Sequence, residues 1–304
     1  MTIRTILKFL YLPVFLFLNY SVLYGSQRDS LIVDAFYRNL YDYNFHSADS
    51  ILRNINGQKI SPEIKGLLQI SYSWWLIISG ENDPELVNGL NHKIDSEISR
   101  IENETPEIIP DQNKILQLIF LYSYKSRLHN FRNNRLASFS AFKQSYNYFE
   151  KLSPCTTGYC EMHNFITGMY YALGGHLQEQ FAPVFLLGMN KNFADKEKGY
   201  ALLIQCTTSA NKQIRTESIY FLMKLYLEVQ EDPKSAYRYS EMLVDQFPAN
   251  LVFRYNQVLT LHALGNYTAA DSAYNALVEL SENAIQLSAR QKQHFRKEYE
   301  RLHP

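Results

Sequence analysis

The densest group of chemically capable side chains in the chain is SPCTTGYCEMH, residues 153–163, with Cys155, Cys160, Glu161 and His163. Two thiols, a carboxylate and an imidazole are the ingredients of a disulfide, a metal site or a thiol nucleophile. Two cysteines with four residues between them close a short disulfide across the Pro154 loop if the chain matures in an oxidising compartment. The same residues also read as free, partly buried thiols. A metal site is the weaker reading, because Cys-x4-Cys-x2-His supplies three ligands at no common zinc spacing and a fourth is not evident. Dithiol redox catalysis is weaker still, because the Cys-x-x-Cys pair it uses is absent. Cys206 occupies an apolar helical position and is expected in the core.

The rest of the chain offers little catalytic chemistry. It has no GxSxG, HExxH, P-loop or GxGxxG pattern, so neither an enzyme nor a cofactor is expected. His163 and His176 read as structural histidines. Trp74 and Trp75 sit in SYSWWLIISG, where core packing of both competes with an exposed platform at Trp75 that stacks a small molecule or glycan. Tyr220, Arg238 and Arg254 are candidates for contacts to a bound peptide.

The first 25 residues have a basic start, Arg4 and Lys8, followed by the apolar run FLYLPVFLFL, and no acidic residue precedes Asp29. That order is a secretory signal peptide. The run is shorter than the roughly 20 residues of a membrane span, and no cysteine near Gly25 could carry a lipoprotein anchor. The expectation is export to the periplasm or cell envelope, with cleavage near Gly25 and a single domain over residues 26–304. The whole chain carries 30 basic and 30 acidic residues, and removal of Arg4 and Lys8 leaves it two charges negative. A near-neutral chain lacks the phosphate-neutralising surplus that nucleic-acid binding requires.

After Asp29 apolar residues recur at spacings of three and four, and no stretch alternates like a strand. The chain reads as all-α, with helices expected over 29–42, 45–55, 62–79, 84–102, 111–132, 135–152, 160–173, 183–189, 195–209, 213–229, 233–246, 250–264, 267–281 and 284–302. Breakers such as Gly57, Gly80, Pro106, Pro110 and Pro154 lie between them. One phrase occurs near both ends: Asn44-Phe45 with Ala48-Asp49-Ser50, and Asn266-Tyr267 with Ala270-Asp271-Ser272. Asp232-Pro233 with Ala236 is a variant of it. Asn or Asp accepts hydrogen bonds from the first free amides of a helix. The Ala four residues on is small enough to let two helices approach, and the aromatic is expected to pack beneath the joint. Ala236 and Ala270 are 34 residues apart, as are Leu243 and Leu277. The phrase therefore reads as a helix joint, although Asn266-Tyr267-Thr268 also fits a glycosylation sequon.

That period and those joints resemble the tetratricopeptide repeat superfamily. The resemblance is clearest over residues 216–248, with a weaker unit over 250–281. The series WWLIISG, FITGMYYALG, DKEKGYALL, RTESIYFLMKLYL and FPANLVF is similar to exported bacterial proteins with degenerate repeats of this kind. The resemblance implies a right-handed solenoid of helical hairpins, about 12–14 helices in all. The signal-like start together with the 34-residue joint pattern leads to the expectation of an exported scaffold or adaptor that binds a protein or peptide on a concave face, in association with an outer-membrane or envelope complex. The resemblance transfers no catalytic residue.

Overall fold

The computed structural model describes residues 27–55, 60, 62–103, 111–155, 160–180 and 195–302. The leader (1–25), the expected helix 183–189, and Gly57, Pro106 and Pro110 lie outside these residues. The described residues are helical throughout, with no strand. The helices are α1 (Gln27–Tyr41), α2 (Phe45–Asn54), α3 (Pro62–Ile78), α4 (Pro84–Asn103), α5 (Gln112–Phe131), α6 (Arg135–Phe149), α7 (Cys160–Gln180), α8 (Lys196–Cys206), α9 (Lys212–Lys224), α10 (Pro233–Gln246), α11 (Leu251–Ala263), α12 (Tyr267–Asn283) and α13 (Ala289–Glu300). A π-helical turn, Leu225–Val229, continues α9. None of these helices is long and apolar enough to cross a membrane. The last expected helix, 284–302, starts late, because Ser288 and Gln291 form a reciprocal capping box at its entrance.

The joints are built from one local device. Asn44, Asn134, Asp195, Asp232 and Asn266 each cap the following helix, and each side chain accepts from the amide three residues on. Such caps contribute typically about 1 kcal/mol each. Four are preceded by a residue in the left-handed region, Tyr43 (φ 61°), Asn133 (58°), Glu231 (54°) and Gly265 (73°). That conformation reverses the chain within a few residues. At three of these turns the cap amide donates five residues back, as in Asn44 N to Asn39 O and Asn134 N to His129 O, both 2.8 Å, and Asn266 N to Leu261 O, 3.0 Å. These bonds satisfy the carbonyls that the ending helix leaves free. One residue thus terminates one helix and initiates the next.

Four residues after each cap stands a small buried residue: Ala48, Ser138, Gly199, Ala236 and Ala270. The joints at Asn134 and Asp195 escape a search for Ala, because Ser138 and Gly199 take its place. The aromatic after the cap is less constant. Phe45 is buried, with its ring 4.8 Å from Tyr43, whereas Tyr267 is 57% exposed and leans on His262 at 5.1 Å. The expectation that Tyr267 packs beneath its joint is therefore corrected. A cap and a small residue suffice, and the aromatic is optional.

The chain divides into two compact units. The first, residues 94–231, contains the α5–α6 and α7–α8 hairpins and α9. Ser126 donates to the Ser138 carbonyl (2.9 Å), Ser138 donates back to the Ser126 carbonyl (2.8 Å), and Ser145 reaches the Ile119 carbonyl (2.7 Å). This falling register makes α5 and α6 antiparallel, with small hydroxyls along the seam. The α7–α8 crossing is closer and uses glycine. A β-carbon at Gly199 would run into the backbone of Ala172 and approach the Gly168 carbonyl oxygen to 2.8 Å, and one at Gly175 would meet the Lys196 amide nitrogen at the same distance.

The second unit joins the two ends of the chain, residues 26–93 and 232–304. Tyr41 of α1 lies 5.9 Å from Trp75 of α3, 5.3 Å from Phe247 and 6.4 Å from Phe253, and Trp75 lies 5.9 Å from Phe253. Asn250 fixes this cluster at both ends: its Oδ1 accepts from Phe253 N (3.1 Å) and its Nδ2 donates to the Tyr41 carbonyl (2.9 Å), 209 residues away in sequence. Ser288 donates to Glu81, and Arg290 lies 3.5 Å from the same carboxylate. In a repeat array each element contacts its neighbours in sequence, so this pairing of the ends is an addition that repeat periodicity does not encode.

Two glycines give opposite expectations. Gly199→Ala is expected to destabilise by about 1–3 kcal/mol, because backbone cannot yield. Gly89, exposed within α4 with nothing near its missing β-carbon, is expected to gain about 0.5–1 kcal/mol as Ala. Denaturant unfolding of both variants checks the pair.

Candidate functional site

Cys155 and Cys160 form a disulfide, with Cα atoms 5.2 Å apart. It ties the segment after α6 to the first residue of α7. Cys206, at the end of α8, is buried and free, and its thiol donates to the Glu161 carbonyl at 3.8 Å. Burial, reinforced by the Glu161 charge, pushes this thiol up to about 12. The Glu161 carboxylate accepts from Ser209 Oγ at 2.7 Å. His163 pairs with Thr167 at 3.4 Å, and its partial burial lowers its pKa. The cluster is thus dispersed into a covalent clip, a helix-to-helix contact and an intrahelical pair. Among the described residues, no group of three or more His, Cys, Asp or Glu is placed to hold a metal.

The candidate contact residues separate by burial. Trp75 is fully buried in the aromatic cluster and Trp74 is 4% exposed, so of the two competing readings core packing of both is the one found, and the alternative platform at Trp75 is corrected to core. Tyr220 is 2% exposed inside the first unit, which corrects its assignment as a surface contact. The cause is the same in both cases: helices enclose these positions on every side. Arg254 is partly buried and donates to the Pro248 carbonyl at 2.5 Å. Arg238 is exposed on α10, one turn before Met242, which is 37% exposed.

The first unit also encloses a polar cluster. Arg127 (6% exposed) on α5 lies among Tyr124, Tyr170, Glu217 and Tyr220, and its guanidinium carbon is 5.0 Å from the Tyr124 ring centre. Burial lowers its pKa to about 10 despite the opposing pull of the tyrosines and Glu217. Tyr170 shares its hydroxyl with Ser145 at 2.5 Å, and burial raises it to about 12. On α9, Gln213, Glu217, Tyr220 and Lys224 fall at spacings of four, three and four and are all buried. Neither Nη1 nor Nη2 of Arg127 makes a hydrogen bond, and neither does Oε1 or Nε2 of Gln213. Each buried polar group left so costs about 1–3 kcal/mol. Sequence reading did not single out Arg127, Gln213 or Glu217. The polar stripe on α9 was the available signal, and it reads as a solvent face.

At the edge of the same unit, Tyr122 and Tyr148 stack at 5.8 Å and both hydroxyls donate to Glu102, at 2.8 and 2.9 Å. Lys125 and Lys151 lie over these rings. The arrangement holds the middle of α5 and the end of α6 to the end of α4. Comparison with family models, with curated proteins and with solved structures gives no match to this chain.

The thiol inventory is directly testable. The chain has 3 cysteines, and the structure leaves Cys206 as the free one. A colorimetric thiol reagent at pH 8 is expected to find none in the native protein, one after unfolding without reductant, and all three after reduction. Two free thiols beyond Cys206 in the unreduced, unfolded chain would contradict the disulfide.

Proposed function

We propose that the protein is an exported, non-catalytic scaffold that holds a protein or peptide partner in the cell envelope, its hairpins belonging to a right-handed tetratricopeptide-like array. The observation that carries this reading is the recurrence of one joint, a capping Asn or Asp followed four residues later by a small buried residue, at five places in the chain. Helical hairpins repeated on such joints form extended surfaces rather than a single pocket. The signal-like start and the Cys155–Cys160 disulfide both favour an oxidising compartment. The neutral charge balance favours no nucleic acid.

Burial leaves Arg238 as the available contact among the candidates, with Met242 beside it on the same helix face. The small-molecule or glycan reading loses its platform with Trp75 in the core. The thiol-enzyme reading at Cys155, Cys160 and His163 loses its nucleophile to the disulfide.

Pull-down and cross-linking from envelope fractions test the proposal. The wild-type chain is expected to capture a defined partner, and Arg238→Ala with Met242→Asp is expected to lower capture at least fivefold with no shift in melting temperature. A tagged chain that stays in the cytoplasm, or equal capture by the variant, would count against the reading and the contact face respectively.

A further inference from the structure

A helix enclosed on all sides is normally apolar all round, yet α9 carries the polar stripe Gln213, Glu217, Tyr220 and Lys224 into the interior. Facing it, Arg127 keeps both terminal guanidinium nitrogens without an acceptor, and Gln213 keeps both ends of its carboxamide without a partner. These atoms are sealed from solvent, so the packed state surrenders their hydration and returns no hydrogen bond for it. The α ladder is also interrupted just beyond: α9 passes into the π turn Leu225–Val229, where Gln230 N bonds to Leu225 O at 2.9 Å. Glu231 follows in the left-handed region at φ 54°. π turns inside helices recur at functional sites. The α7–α8 pair has the opposite character, because its glycine crossing is closed by backbone on backbone.

We infer that α9 is the opening element of the first unit: it swings away from α5 about the π turn and Glu231, hydrating Arg127 and Gln213 while α7 and α8 remain packed. The driving force is the recovery of hydrogen bonds that the closed state denies to these two side chains. The inference does not depend on the scaffold reading and concerns a conformational equilibrium of the free chain.

Hydrogen exchange of the intact, disulfide-bonded protein is the test. Amides of α9, residues 212–224, are expected to exchange at least tenfold faster than those of α7, residues 163–175, through an opening that leaves α7 protected. Gln213→Leu removes the polar amide without creating an orphan, and Arg127→Met with Glu217→Leu removes both charges together. Each is expected to slow α9 exchange at least tenfold and to raise the melting temperature, the reverse of what most core substitutions do. Exchange of α9 and α7 in one global event, or faster α9 exchange in Gln213→Leu, would overturn the inference. If the double variant does not fold, the wild-type profile and Gln213→Leu still decide it.

Discussion

Two helices joined by a handful of residues can pack only if their backbones come close near the joint, and that closeness depends on the side chain one turn into the second helix. In the α1–α2, α5–α6 and α11–α12 hairpins the position is held by Ala48, Ser138 and Ala270. The cap fixes where the second helix begins, which fixes where the small residue falls, which fixes how near the helices lie. The serine seam of α5 and α6 is a polar form of the same solution, in which the small side chains also exchange hydrogen bonds with the facing carbonyls.

Much of this local device is legible in the sequence, because it depends on residues close together in the chain. Asn44, Asp232 and Asn266 announce themselves by Ala four positions on. Asn134 does the same job with Ser, and Asp195 caps α8 ahead of Gly199, so a search framed on alanine passes over both. The helix list is readable for the same reason, from spacings of three and four and from breakers between segments. Where the reading misses a boundary, as at Ser288, a capping box decides the start more sharply than periodicity does.

What the sequence does not disclose is partnership at a distance. The pattern around Tyr41, Trp75, Phe247 and Phe253 says that each is apolar and falls on a helix face, but not that they meet one another. Asn250 illustrates the limit: its cap is readable from the residues beside it, whereas its bond to the Tyr41 carbonyl is not. Burial of Trp75 and Tyr220 follows from such distant contacts, which is why both were candidates for binding and both prove to be core. The polar interior around Arg127 escapes for a related reason. A stripe of Gln213, Glu217, Tyr220 and Lys224 is indistinguishable from a solvated face until the elements around it are known.

The functional reading rests on the recurrence of the joint, so the role of the small residue is the claim on which most depends. It is tested most directly by denaturant unfolding of a matched series, Ala48→Val, Ser138→Val, Ala236→Val and Ala270→Val, against Ser272→Val on the exposed face of α12. Each joint variant is expected to lose about 1–3 kcal/mol through overpacking, and the exposed control to change by less than about 0.5 kcal/mol. Joint variants no less stable than the control would contradict the account.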